Sequence, residues 1–173
     1  MEHARGTIIR LTKLTETSLI VHWLTENDGL IKTVARGARR AKSSFAGRID
    51  LFIEAELEWT RSSRSELHAL REVNVVDYRQ GLRKSYRDAV VAAYFGQLLE
   101  QVLELDHPVP EMFDLLQRGL GYLSDNGADR RSFYHFEKEV ARLLGLGLSS
   151  QAALLQAYGK LPSSRDHCLD LIQ

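Results

Sequence analysis

The residues with the clearest capacity for chemistry are cations in the first half of the 173-residue chain. Residues 29–49 include no acidic residue but six basic ones. These six are Lys32, Arg36, Arg39, Arg40, Lys42 and Arg48. Lysine and arginine neutralise the backbone phosphates of a nucleic acid and release condensed counterions. The small residues Gly37, Ala38 and Ala41 between them allow the protein backbone to approach the phosphates closely. The pattern predicts a phosphate-binding surface, with a merely solvated Lys/Arg loop as the simpler interpretation.

Catalytic motifs are absent from the sequence: it has no Walker loop, dinucleotide glycine fingerprint, His-Glu-x-x-His or Gly-x-Ser-x-Gly. His135 and Glu139 are four residues apart on a predicted helix, and His167 precedes Cys168. Both pairs are better explained as incidental neighbours than as metal ligands, because no further ligand is near. A single cysteine excludes an intramolecular disulfide and a multi-cysteine zinc site. We therefore expect a protein that is not an enzyme and needs no metal or other cofactor.

Composition places the chain among ordinary globular proteins. It is 44% hydrophobic and 27% charged, with 23 basic and 23 acidic residues. No apolar run approaches the roughly 18–20 residues that cross a bilayer. The first five residues lack the apolar region of a secretory signal. We expect a cytoplasmic protein that does not engage membranes.

The elements that must position the cations are strands, because apolar residues alternate through the first half of the chain. The predicted strands are residues 6–12, 18–25, 30–36, 51–60 and 67–76. In the fourth strand the alternation predicts an acidic outer face of Glu54, Glu56 and Glu58. In the fifth it predicts one face of Leu67, Ala69, Val73 and Val75. Five short antiparallel strands fit a small closed barrel of the OB type or an SH3-like barrel.

The second half of the chain changes to helical spacing of its apolar residues. The predicted helices are residues 83–104, 111–124, 131–144, one capped by Ser149-Ser150 and ending near residue 158, and a short one over 164–172. The predicted fold class is α+β with two domains. Residues 1–79 are predicted to form a five-stranded barrel, and residues 80–173 an α-helical domain.

The order of several segments resembles the RecO family of bacterial recombination mediators. In the N-terminal half they are Gly6-Thr7-Ile8-Ile9-Arg10, Glu16-Thr17-Ser18, Leu24-Thr25-Glu26-Asn27-Asp28-Gly29-Leu30 and Ala35-Arg36-Gly37-Ala38-Arg39-Arg40-Ala41-Lys42-Ser43. Further along they are Leu70-Arg71-Glu72-Val73, Met112-Phe113-Asp114-Leu115-Leu116 and Phe136-Glu137 followed by Leu143-Leu144-Gly145-Leu146-Gly147. The resemblance covers about residues 4–147, and the order of the pieces is more specific than any one of them.

The resemblance implies that residues 1–79 are an OB-fold DNA-binding domain joined to a helical domain over residues 80–173. It also implies a role in DNA repair and homologous recombination. Such a protein binds single- and double-stranded DNA, anneals complementary strands and helps to load RecA onto strands coated with single-strand binding protein. Its usual partner is RecR, joined in some bacteria by RecF, and it acts in the cytoplasm with the nucleoid. The matching motif assigns DNA contacts to Arg36, Arg39, Arg40 and Lys42, whereas Lys32 and Arg48 are added from charge alone.

Two departures from the family pattern are visible. Many members carry a four-cysteine zinc site after the Leu-Gly segment, whereas here the first cysteine is Cys168. The sequence also ends sooner than is usual in the family, at Gln173. We expect a compact variant without the zinc site.

Two other interpretations are compatible with the residues. An OB-fold binding module for RNA or for a protein partner is the main alternative, and a strong preference for structured RNA over single-stranded DNA would favour it. An enzyme whose site is assembled from distant residues is the other, and a large polar pocket with perturbed carboxylates would favour that.

Overall fold

The computed structural model describes residues 1–147 and 151–173. The strands are β1 (Glu2–Lys13), β2 (Leu19–Thr25), β3 (Gly29–Ala35), β4 (Glu54–Thr60) and β5 (Leu67–Asp77). The helices are α1 (Tyr86–Val102), α2 (Pro110–Asn126), α3 (Arg130–Leu143), α4 (Gln151–Tyr158) and α5 (Arg165–Leu171), with a 3-10 turn at Gln80–Arg83 before α1. The predicted cap at Ser149-Ser150 lies outside the described residues.

The five strands close into a barrel in the order β1-β2-β3-β5-β4. β1 pairs antiparallel with both β2 and β4, and a short parallel pair joins β3 to β5. This order is that of an OB-fold rather than an SH3-like barrel. The predicted fold class, an OB-fold barrel followed by helices, is confirmed.

The described residues divide into two compact units. The first contains Met1–Tyr78 and Glu104–Phe113, and the second contains Arg79–Leu103 and Asp114–Gln173. In the first unit the Asp106 N–H donates to the Leu30 carbonyl, 2.8 Å away. The adjacent Gly29 has φ +72°, and a Cβ there would lie 1.9 Å from a carbonyl oxygen of the same segment, so the approach requires glycine. The division at residue 79 stays a prediction of where the domains meet in sequence.

The barrel core consists of large side chains that alternate with outward-facing ones. Ile8, Trp23, Leu57 and Trp59 are at most 1% exposed. The Trp23 indole N–H donates to Thr33 Oγ1 at 2.9 Å, so the polar end of that ring is satisfied inside the barrel. Each such side chain contributes about 1.5–3 kcal/mol through removal from water.

One prediction about strand faces is wrong because of a β-bulge, and one predicted exposure is wrong. In β5, Leu70 and Val73 point into the core, because the pairing with β4 passes over Arg71 and shifts the phase of the alternation. Ala69 therefore lies on the opposite face from Val73. In β4 the alternation is as predicted, with Ala55 and Leu57 in the core, but Glu54 on the other face is 6% exposed rather than in water and accepts a 2.5 Å hydrogen bond from Arg5 Nε.

The helical unit is held by stacked aromatic rings and satisfied helix ends. Phe95 of α1 stacks on Phe136 of α3 with ring centroids 3.8 Å apart. Asp129 and Ser132 form a reciprocal capping box at the start of α3. The buried Asp88 accepts a 2.7 Å hydrogen bond from the Ala128 N–H, which fixes the turn before that helix.

A buried ion pair joins three helices of this unit. Glu137 of α3 accepts hydrogen bonds from Arg165 of α5, at 2.6 Å and 2.9 Å, and from the Tyr94 hydroxyl of α1, at 2.5 Å. The Arg165 guanidinium also lies 5.5 Å from the ring centroid of Phe133. The hydrogen bonds to Glu137 raise the pKa of Arg165, and burial raises the pKa of Tyr94. Glu137 therefore links α5 to α3 and α1.

Replacing Glu137 by glutamine should destabilise the protein by about 3–5 kcal/mol, because it leaves the Arg165 guanidinium buried without a counter-charge. Urea unfolding followed by circular dichroism measures the loss. Glu139→Gln, which removes the exposed ion pair with Arg142 on the same helix, should cost less than about 1 kcal/mol. Equal losses for the two variants would contradict a structural role for the buried pair.

Candidate nucleic-acid interface

The segment that follows β3, residues 36–48, is here called the basic loop. It is built from consecutive turns, in which N–H groups donate to carbonyls three residues earlier: Arg40 to Gly37, Ser43 to Arg40 and Arg48 to Phe45. Phe45 is 8% exposed and packs into the barrel core, which anchors the loop in its middle. The loop is therefore an ordered scaffold for its cations.

The start of the basic loop is fastened to the turn between β1 and β2. The Gly37 N–H donates to Ser18 Oγ at 3.2 Å, and the Arg39 N–H donates to the Thr17 carbonyl at 3.0 Å. Arg39 Nη1 adds a 3.2 Å hydrogen bond to the Glu16 carbonyl. Gly37 has φ +67°, a conformation that glycine adopts without strain. The contacts position the first part of the loop against a neighbouring hairpin.

A cleft of about 730 Å³ opens between three stretches of the barrel unit. Its walls are the β1–β2 turn (residues 14–18), the end of β3 with the basic loop (34–40) and the β4–β5 hairpin (60–69). These stretches meet because the parallel pairing of β3 with β5 sets the end of one strand beside the start of the other. Five hydroxyl side chains and three arginines line the cleft beside apolar side chains.

Two of the six predicted DNA-binding residues line this cleft, Arg36 and Arg40. Both are exposed. No ion pair involves either side chain within residues 1–147 and 151–173. Their charges are thus available to an anion that enters the cleft.

The structure distributes the other four predicted residues elsewhere. Arg39 is tied to the β1–β2 turn, and Lys42 is exposed further along the loop. Arg48 Nη1 donates to the Val73 carbonyl on β5 at 3.2 Å. Lys32 lies on β3 with its Nζ 3.5 Å from Glu66, and Arg36 follows the end of that strand. A role in DNA contact for all six residues stays a prediction.

A third arginine of the cleft, Arg61, follows β4 and was not among the predicted DNA-binding residues. Its guanidinium lies 4.6 Å from the Trp59 ring centroid and contacts Asp106 at 2.9 Å and Asp28 at 3.5 Å. Burial raises the pKa of Asp28 against the opposing effect of Arg61, and the nearby carboxylates Glu2 and Asp106 raise it further. Arg61 is therefore held in a partly neutralised network, unlike Arg36 and Arg40.

His68 forms the inner wall of the cleft beside that network. Its ring stacks on Trp59 with centroids 4.7 Å apart. The Ser62 N–H donates to His68 Nδ1 at 3.2 Å, so the neutral ring carries its proton on Nε2, which lies 3.2 Å from Asp106 Oδ1. The cleft wall is thus preorganised by a hydrogen-bonded chain.

Aromatic side chains contribute little surface for base stacking in the barrel unit. Trp23 and Trp59 are fully buried, and Phe45 and Phe52 are below 10% exposed. Tyr78, at the end of β5, is 44% exposed. The chemistry of this unit therefore favours phosphate contacts over stacked bases.

The helical unit has a groove of about 360 Å³ between α2 and α3. Phe95, Leu115 and Phe136 line its apolar floor, and Arg118 and Arg131 stand at its rim. An apolar floor with cations at the edge accepts an apolar side chain that is followed by carboxylates.

The residue pairs considered as metal ligands have other roles. Glu139 binds Arg142, whose hydrogen bonds lower the pKa of the carboxyl. Cys168 is buried, which raises the pKa of its thiol to about 11, and His167 contacts the Tyr86 hydroxyl instead. Across the described ranges, no three His, Cys, Asp or Glu side chains converge in a way that could hold a metal ion.

No helix in the described part of the chain combines the length and apolar character needed to cross a membrane.

Comparison with known proteins adds independent information. Residues 1–79 match the family model described as Recombination protein O N terminal, and residues 83–153 match Recombination protein O C terminal. The chain is 31% identical over 152 residues to a DNA repair protein RecO of Xanthomonas campestris, covering 87% of this chain and 61% of that protein. It is 28% identical over 144 residues to the one of Rhodopirellula baltica and 32% over 146 residues to the one of Pasteurella multocida. The chain spans 53–61% of the length of these three relatives.

The environment of His22 on the outer wall of the barrel predicts that the stability of the protein depends on pH. Burial, with help from Arg10 and Lys32, lowers the pKa of His22 from 6.5 to about 4. As the pH falls below 6.5, His22 therefore takes up a proton in the unfolded chain, whereas in the folded chain it does so only near pH 4. The free energy of unfolding decreases as the pH falls through this range. Between pH 7 and pH 5 the loss should be about 2 kcal/mol.

Urea unfolding at the two pH values tests this for the native chain and for His22→Asn. The variant should lose this component of the pH dependence, whatever its stability at pH 7. His135→Gln, which changes an exposed histidine on α3, should retain it. An unchanged pH dependence in His22→Asn would show that other groups are responsible.

Proposed function

This chain belongs to the RecO family of DNA repair proteins, and from that premise we propose that it is a recombination mediator that binds and anneals DNA strands without catalysing a covalent reaction. It would assist the loading of RecA together with RecR, and in some bacteria with RecF. Work on the bacterial chromosome would place it in the cytoplasm with the nucleoid.

The observation that carries the DNA-binding proposal is the cleft with Arg36 and Arg40. OB-folds bind oligonucleotides with the face of their second and third strands and the loops that correspond to the β1–β2 turn and the β4–β5 hairpin. Here those two loops form walls of the cleft, and both arginines lie between them without ion-pair partners among the described residues. A strand in this cleft would be held through its phosphates.

Strand annealing requires that bases stay free to pair while two strands are held close. Contacts through phosphates leave the base edges accessible, whereas deep stacking on aromatic rings sequesters them. The tryptophans of the barrel are fully buried, which supports the first mode of binding. The same phosphate contacts can form with duplex DNA. This would suit a mediator that holds the annealed product and then releases it.

A protein partner is favoured by the groove between α2 and α3. We place the contact with single-strand binding protein or with another recombination protein in this groove, because its apolar floor and its rim arginines suit a segment with an apolar side chain and carboxylates.

The double variant Arg36→Gln/Arg40→Gln should bind single-stranded DNA more weakly, with no change in sequence preference. Each lost phosphate contact should flatten the slope of log affinity against log salt by about 0.7, giving about 1.4 for the pair. Fluorescence anisotropy with a labelled oligonucleotide measures both quantities. Thermal stability should be unchanged, because both side chains are exposed.

The matched control is Arg130→Gln/Lys138→Gln, which removes two exposed positive charges from α3. It should leave the salt slope unchanged. If the control and the cleft variant behave alike, net charge rather than the cleft governs binding.

We also expect the protein to accelerate the pairing of complementary oligonucleotides without ATP, because the sequence has no Walker phosphate loop. The rate should fall with rising salt and persist when the strands are coated with the cognate single-strand binding protein. A fluorescence-quenching assay with and without that protein measures it. If the protein binds DNA tightly but does not accelerate pairing on bare or coated strands, it is an OB-fold binding module rather than a mediator. If it binds structured RNA more strongly than single-stranded DNA, RNA is its ligand.

A further inference from the structure

A β-bulge in β1 turns one arginine to the outside of the barrel. Ile8 pairs with Trp23 and Arg10 pairs with His22, so Ile9 is an extra residue between them. Ile8 and Leu11 both pack on the core although they are three positions apart. In an unbroken strand the side chain of residue 10 would share the inward face of Ile8. The bulge is therefore what places Arg10 on the outer wall.

Arg10, His22 and Lys32 form a single row across three neighbouring strands. The pairing register places Arg10 opposite His22 and His22 opposite Lys32. Their neighbours Trp23 and Ile31 point into the core, so the three side chains share the outer face. The backbones of the outer two lie about 10 Å apart, two strand spacings, which two long side chains can bridge to one anion.

The hydrogen bonds of the row define the state of the imidazole. Arg10 Nη2 lies 3.4 Å from His22 Nδ1, and a guanidinium can only donate, so Nδ1 is the acceptor. His22 Nε2 lies 3.1 Å from Thr12 Oγ1 and carries the proton of the neutral ring.

The row continues the cleft of the barrel unit. Lys32 pairs across the parallel β3–β5 contact with Leu67, which lines the cleft, and Val34, two residues further along β3, lines it as well. Glu66, at the end of the hairpin that walls the cleft, lies 3.5 Å from Lys32 and is 69% exposed. Glu66 is thus an exposed carboxylate that opposes an anion beside Lys32.

We infer that Arg10, His22 and Lys32 form a second phosphate site, which holds a backbone phosphate of the same DNA strand that occupies the cleft. This rests on the proposed DNA binding and extends it from the cleft to the wall formed by β1, β2 and β3. Arg10 and Lys32 bind the phosphate from its two sides, and Glu66 competes with it for Lys32.

The site couples DNA binding to a proton on His22. In the free protein burial and the flanking charges of Arg10 on β1 and Lys32 on β3 lower the pKa of His22 to about 4. A phosphate between those cations offsets their repulsion of the imidazolium, and a proton taken from solvent at Nδ1 turns that atom from an acceptor of Arg10 into a donor to a phosphate oxygen. An anion between Arg10 and Lys32 should therefore raise the pKa of His22.

The first experiment compares Glu66→Gln with Glu26→Gln in the full chain by anisotropy with a single-stranded oligonucleotide. Both remove one exposed negative charge, but residue 26 lies in the β2–β3 turn, at the far end of those strands from the cleft. Glu66→Gln should bind about two- to fivefold more tightly, and Glu26→Gln should match the native chain. Adding Lys32→Gln to Glu66→Gln should abolish the gain.

The second experiment follows the ring nitrogens of His22 by NMR in ¹⁵N-histidine-labelled protein between pH 4.5 and 7, with and without the oligonucleotide. The titration of His22 should move upward when DNA is present, and Lys32→Gln should reduce that shift. If DNA binds in an Arg40-dependent way while His22 and Glu66→Gln show no effect, this second site is overturned and the cleft proposal stands. If no DNA binds at all, the proposed function itself fails.

Discussion

The short parallel pairing between β3 and β5 is the contact on which the candidate site depends. It joins only three residue pairs, Lys32–Val34 with Leu67–Ala69, yet it closes the barrel and brings the end of β3 against the β4–β5 hairpin. These segments are more than 30 positions apart in sequence, so the barrel must form before the cleft exists. A change that opened this pairing would separate the walls of the cleft while leaving each hairpin intact.

The distribution of charge explains how a protein with equal numbers of acidic and basic residues presents a surface for an anion. Arg61 is neutralised by Asp28 and Asp106, whereas Arg36 and Arg40 have no carboxylate partner in the described ranges. Cations without a carboxylate partner attract phosphate even when the protein has no net charge, because the local electrostatic field at the cleft, and not the net charge of the whole protein, determines the contact. Such contacts weaken with salt, which suits reversible handling of DNA.

The helical unit solves a different physical problem. It buries a full ion pair between Glu137 and Arg165, and the hydroxyl of Tyr94 satisfies the same carboxylate. Removing either partner of such a pair would leave the other charge uncompensated in the interior, so the stability of this helix arrangement depends on both residues. The groove between α2 and α3 is lined in part by Phe136, the residue before the carboxylate of this pair, so the same stretch of α3 serves both the interior and the groove.

By itself the sequence determined the type and order of the elements and the basic loop, because apolar periodicity and turn residues act over a few neighbouring positions. The order of its segments indicated the family and, through the family, the OB-fold. Only the tertiary structure decided which cations share a cleft: it joined Arg36 and Arg40 to Arg61 and sent Arg48 to β5. It also decided strand faces, since the bulge at Ile9 turns Arg10 outward and the one at Arg71 reverses the predicted face of β5. Bulges and barrel closure depend on pairing between distant strands, and no local pattern of residue types encodes that register.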